Sequence, residues 1–164
     1  MYLSTILFVK VPKMLICALV ESDSFHENLT ANPFNFVHKD LTQISVQVDG
    51  ISFPSKPYQL DFANGRSLEG FDGLLDVLGR KHAPGGSLSF DREGYAKGYT
   101  LLAFDLSPSG CGRNALGLIK QGNVTVSLTF ARPLNKTLMC ICLLYFDSLM
   151  EINTFGQMVT DFVA

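Results

Sequence analysis

The sequence predicts a mainly-β domain, an antiparallel β-sandwich with one short helix, and three observations carry that prediction. Residues 42–48 and 124–130 alternate apolar and polar side chains with period two, the pattern of strands that bury one face and wet the other. Asp49-Gly50 follows the first of these runs directly, and that dipeptide favours a hairpin turn whose two central residues have positive φ. Long excursions carrying Gly, Ser and Pro separate the later apolar runs. Such excursions fit Greek-key connections that cross from sheet to sheet, and so a jelly roll better than a compact barrel.

Taken in order, strands are expected at about 2–9, 14–20, 41–48, 51–53, 58–62, 99–106, 123–130 and 137–146. Thr42, Ile44, Val46 and Val48 share one face of their strand, and the Asp49-Gly50 turn would pair Val48 with Ile51 and Val46 with Phe53. Pro54, Lys56 and Pro57 are expected to end that hairpin, and Asn64-Gly65 to turn the chain again. A helix is expected over 67–78, with Ser67 as N-cap, a stripe of Leu68, Phe71, Leu74, Leu75 and Leu78, and Gly79 closing it. Gly70 and Gly73 each weaken that helix by about 1 kcal/mol relative to Ala, so it needs tertiary support. Arg80–Ser89 and Leu106–Gln121 read as loops. Val124, Val126, Leu128 and Phe130 form a clean core face, Arg132-Pro133-Leu134-Asn135 a turn, and Leu138–Phe146 a strand apolar on both faces, like Leu101–Leu106. Doubly apolar strands must be covered twice, by the same chain or by a neighbour.

A chain of 164 residues makes one domain. Its charged fraction of 17% falls below the usual ~25%, and a formal net charge of −2 with scattered Lys and Arg gives no electrostatic case for a specific nucleic-acid site. The apolar runs near the N-terminus, broken by Lys10, Pro12 and Lys13, fall short of a membrane span, and Glu21-Ser22-Asp23 fits a signal-cleavage site poorly. The protein is therefore expected to be neither secreted nor transmembrane.

The four cysteines, Cys17, Cys111, Cys140 and Cys142, lack the spacing of a disulfide framework. Cys140 and Cys142 share a strand face, but zinc needs two further ligands that no second pair or nearby His supplies, so no metal or cofactor is expected. Ser109-Gly110-Cys111-Gly112 resembles the nucleophile loop of chymotrypsin-like cysteine proteases, with His38 ahead of it and Glu69 or Asp72 between. Such chemistry needs a thiol, a His and an orienting carboxylate brought together; a glycine-rich turn with an incidental thiol explains the same residues, and no catalytic residue is assigned. His26, His38 and His82 form no cluster in the sequence. Phe34 and Phe36, and the outward pair Leu101 and Ala103, suit either a subunit interface or packing within the chain.

Val48-Asp49-Gly50, followed by Pro54-Ser55-Lys56-Pro57 and Asp61-Phe62-Ala63-Asn64-Gly65, closely resembles the major capsid proteins of Polinton (Maverick) elements and adinto-like viruses. Asp91-Arg92-Glu93-Gly94-Tyr95 with Gly98 to Pro108 is similar to a second block of that family, and Leu19 to Phe25 and Tyr145-Phe146-Asp147 with Glu151-Ile152 follow in order. The resemblance covers residues 11–153, leaving 1–10 outside it and 154–164 as a C-terminal tail. It implies the second, C-terminal jelly roll of a double jelly-roll protein, in a truncated or decayed host-integrated copy. It further implies a structural, non-enzymatic role: trimeric self-association into hexon-like capsomers, other capsid proteins as partners, and a place in a virion or inside the cell. The alternatives from other classes are the cysteine protease with Cys111 as nucleophile and a host-retained jelly-roll binding module with ligand contacts in its loops.

Overall fold

The alternating runs become the strands of two stacked antiparallel sheets. The computed structural model describes residues 1–26, 30–82, 88–107, 121–148 and 150–160. One sheet holds β1 (Tyr2–Lys10), β6 (Gln121–Phe130), β3 (Leu41–Val48) and β4 (Ile51–Gln59) in the order β1-β6-β3-β4. The other holds β5 (Leu101–Asp105), β2 (Met14–Glu21) and β7 (Leu138–Tyr145) in the order β5-β2-β7. Among the described strands of these two sheets, only β3 and β4 are joined as a hairpin within a sheet; every other step from β1 to β7 crosses between sheets, which is Greek-key, jelly-roll wiring. A separate hairpin of β8 (Met150–Ile152) and β9 (Met158–Thr160) follows. Thus residues 154–160, read from the sequence as tail, are the turn and second strand of that hairpin, and residues 1–10 pair with β6 over the whole length of β1.

Period two decides what lies between the sheets. Val124, Val126, Leu128 and Phe130 of β6 and Ile44, Val46 and Val48 of β3 meet Leu15, Cys17 and Leu19 of β2 and Leu102 and Phe104 of β5 in one buried core. The hairpin forms as expected: Val48 faces Ile51, Val46 faces Phe53, and Asp49 and Gly50 have φ of 49° and 84°. The prolines, however, do not end it. β4 runs on through Pro54 and Pro57 to Gln59, and residues 54–57 bulge opposite Ser45, between the Val46–Phe53 and Ile44–Tyr58 pairs. β4 is the sheet's edge strand, where a residue without an N–H breaks no ladder bond. The strand expected over 58–62 is therefore the end of β4 plus a single 3-10 turn at Phe62–Asn64, closed by Gly65 at φ 69°.

The helix α2 (Leu68–Val77) covers the outer face of β5, joined by α3 (Arg92–Ala96). A second, smaller core of Leu74, Val77, Tyr95 and Ala103, with Met14, Ile16, Phe71 and Leu101 against it, lies between them. The doubly apolar β5 is thus covered twice by its own chain. The helix is rotated from the expected stripe: Leu68 is 58% exposed, while Gly70 and Val77 are buried. Ser67 occupies the N-cap position without a side-chain cap bond. Both one-turn helices, α1 (Ser22–His26) and α3, are too short for periodicity to announce. Among the described residues no helix is long and apolar enough to cross a membrane.

The two glycines that weaken α2 are the reason it fits. A Cβ at Gly70 would stand 2.7 Å from the Tyr95 hydroxyl, and one at Gly73 would stand 2.8 Å from Cζ of Tyr58 and closer still to its hydroxyl. Those hydroxyls are committed: Tyr58 donates to the Ala103 carbonyl at 3.2 Å and Tyr95 to the Leu101 carbonyl at 3.1 Å. Tyr58, reaching from β4 to β5, closes this flank of the sandwich.

Two predictions follow from this packing. Gly73→Ala should destabilise the fold by about 1–3 kcal/mol in urea denaturation despite alanine's better helix propensity, and its cost combined with Tyr58→Phe should be less than the sum of the two single variants. Burial, with Asp76, Asp72 and Glu69 nearby, pushes the Tyr58 phenol up to about 12. Above pH ~10 the unfolded chain loses a proton that the folded chain keeps, so the urea midpoint should fall as pH rises from ~10 towards 12, less steeply in Tyr58→Phe.

Candidate functional site

Antiparallel pairing of β2 with β7 sets Cys17 directly across from Cys142. Cys140, two residues earlier on β7, shares Cys142's face, the side on which Leu138 and Leu144 meet the sandwich core. The sulfurs converge: Cys17 Sγ lies 3.6 Å from Cys142 Sγ, Cys142 Sγ 3.8 Å from Cys140 Sγ, and all three fall within 4.8 Å of one another. Cys17 is buried, Cys142 half-buried and Cys140 exposed, so the cluster runs from the core to the surface along the rim of β7.

Thiols this close share protons unequally. Cys142 is the favoured thiolate, its pKa lowered because the Cys140 and Cys17 thiols both donate to it. Cys140 is pushed up to about 12, chiefly by that same bond to Cys142, and Cys17 is raised by its bonds to Cys140 and Cys142 and then by burial. The sulfur separations of 3.6 and 3.8 Å match the edge of a tetrahedron built on metal–sulfur bonds of ~2.3 Å, about 3.8 Å. Three thiolates here suit a soft cation, with a fourth position towards solvent beside Cys140. Alternatively, Cys17 and Cys142, facing each other across the strands, suit a disulfide after an approach to ~2.05 Å. The sequence shows two thiols on one face; the third arrives from a strand more than a hundred residues earlier, through a register no local signal encodes.

Other sequence candidates lie elsewhere. Cys111 and most of its loop fall outside the described residues, as does much of the Arg80–Ser89 loop. His38 stacks on Phe62 with ring centroids 4.0 Å apart, its pKa lowered by burial. Its Nδ1 accepts the Asp40 backbone N–H at 3.0 Å. Glu69 instead accepts the Gln59 N–H, and Asp72 pairs with Lys81 at 2.6 Å. Neither carboxylate is placed as the orienting group for His38. His82 is exposed. Phe34 points outward, 70% exposed, while Phe36 is half-buried and its N–H donates to the Gly98 carbonyl. At the far end of β2, Glu21 joins Lys39 and Lys136, which together hold its carboxyl below the usual range, Lys136 most.

The graded burial of the thiols has a direct readout. In a Cys111→Ser background, iodoacetamide on the folded protein should alkylate Cys142, the favoured thiolate, first, then the exposed Cys140 once its bond to Cys142 is lost, while Cys17 reacts only on unfolding, as resolved by peptide mass.

No family model matches this chain. The chain is similar to the uncharacterized protein F54H12.2 of Caenorhabditis elegans, 29% identical over 160 residues. That match takes in 96% of this chain but 38% of the worm protein, so the chain spans well under half the length of its curated relative. No solved structure matches it.

Proposed function

We propose that this chain is a structural protein: a jelly-roll module of the kind found in the major capsid proteins of Polinton elements and adinto-like viruses, working through self-association into trimeric hexon-like capsomers. The observation that carries the reading is the strand order. Sheets ordered β1-β6-β3-β4 and β5-β2-β7, in which β3–β4 is the one in-sheet step among the described strands of the sandwich, fit the wiring of the jelly roll that the capsid resemblance implies.

A fold alone does not name a function, and the surface supplies the second support. Ile51 on the edge strand β4, Phe34, Leu68, Leu143 and Tyr145 are all exposed apolar side chains, distributed over several faces as contacts with several neighbours require. With a net charge of −2 and dispersed lysines, cohesion rests on apolar contact and strand pairing rather than on nucleic acid. The partners in this reading are copies of the same protein and other capsid proteins, and the place is a virion or the cell interior where one assembles.

Sedimentation of the full-length worm relative tests the reading. It should run as a trimer or larger closed assembly; a strictly monomeric mass across micromolar concentrations would overturn the capsid proposal.

A further inference from the structure

The two flanks of the sandwich are unlike. On one, β4 lies over β5 and the gap is sealed by Tyr58 and α2. On the other, β1 ends the four-stranded sheet and β7 ends the three-stranded one. Among the described residues nothing pairs with the outer edge of β7. Leu3 and Thr5 of β1 stand opposite Leu128 and Val126, so they belong to the inner face, yet Leu3 is 40% exposed and Thr5 is exposed too. Across the gap Cys140, on the inner side of β7, is also exposed. Two inner faces therefore run out into solvent together.

We propose that the free edge of β7 receives an eighth strand, antiparallel to it, from polypeptide that leads into β1. A jelly roll has eight strands, and its alternation between sheets, followed backwards from β1, puts the preceding strand in the β5-β2-β7 sheet, where β7 has the open side. The edge is built to bond. The Ser22 N–H donates to the Thr137 carbonyl in the same register as β2–β7. Alternation from there turns the N–H and C=O groups of Leu138, Cys140, Cys142 and Leu144 outward.

Delivery is short. The Met1 carbonyl accepts the Phe130 N–H at 2.8 Å and the Met1 amine donates back to the Phe130 carbonyl at 2.9 Å. Residues 131–137 then lead from Phe130 to the start of β7. The start of β1 and the start of β7 thus lie at one end of the sandwich, and a strand running antiparallel to β7 finishes there, one crossing of ~10 Å from Met1. The matched stretch is 38% of the similar worm protein, so that relative has polypeptide outside it. The incoming strand should alternate, its apolar residues turned in over Leu3, Cys142 and Leu144. This inference rests on strand pairing within one chain and stands whether or not the protein builds a shell.

A grafted strand tests it. Eight alternating Val and Thr residues would be joined to Met1 by a Gly-Ser linker of roughly six residues, enough to span the gap, and a control would carry Pro at alternate positions of the same extension. Hydrogen exchange should slow by about tenfold or more at Leu138, Cys140, Cys142 and Leu144, and Cys140 should resist alkylation, only with the uninterrupted extension. Unchanged exchange in β3 and β6 verifies that both proteins are folded. Equal β7 exchange in the two extended proteins overturns the proposal. So does a chain without extension whose β7 protection climbs with its own concentration alongside a dimer mass, because a second copy then takes the edge.

Discussion

Everything in this molecule depends on two central strands, β6 and β2, each bonded on both sides. A strand in that position satisfies its backbone twice over and presents one unbroken apolar face. β6 does this with Val124, Val126, Leu128 and Phe130, and β2 with Leu15, Cys17 and Leu19. β1 and β3 take their register from β6, β5 and β7 from β2, and β4 in turn from β3, and the helices cover what the sheets leave exposed. β6 lies against β2 through their side chains, and the seven-residue connection 131–137 carries the chain across to the opposite sheet, where β7 pairs with β2.

How much of this the sequence discloses follows from the range of the signals. Alternation is local, so β3 and β6 and the hairpin register at Asp49-Gly50 can be read directly. The prolines at 54 and 57 mislead because their effect depends on edge position, a property of the sheet rather than of the strand. The rotation of α2 has a similar origin. Leucine count points to Leu68, but the face that buries is the one with Gly70, which alone lets the helix approach Tyr95. The thiol cluster is hidden for a third reason: Cys17 and Cys142 meet only through a pairing between distant strands.

The contrast between the flanks organises the chemistry as well. Where β4 and β5 are closed, polar atoms inside find partners in the chain, as Tyr58 and Tyr95 do with the carbonyls of β5. Where β1 and β7 end their sheets, the sulfurs lie in a gradient from core to surface. Cys140 is reachable because of where the strand lies, not because the local sequence makes a site. Any contact that lengthens the β7 sheet therefore also decides how reachable its thiols are.

The run Leu138 to Tyr145 carries no charge and no proline, so it has none of the gatekeepers that keep natural edges apart. It is also the last strand of the sandwich to leave the ribosome, when the rest is already in place to receive it. A polypeptide with such an edge survives in a crowded cell only at low abundance or under chaperone care, unless its edge is covered early. Selection on such a chain would accordingly act on solubility before it acted on any other trait.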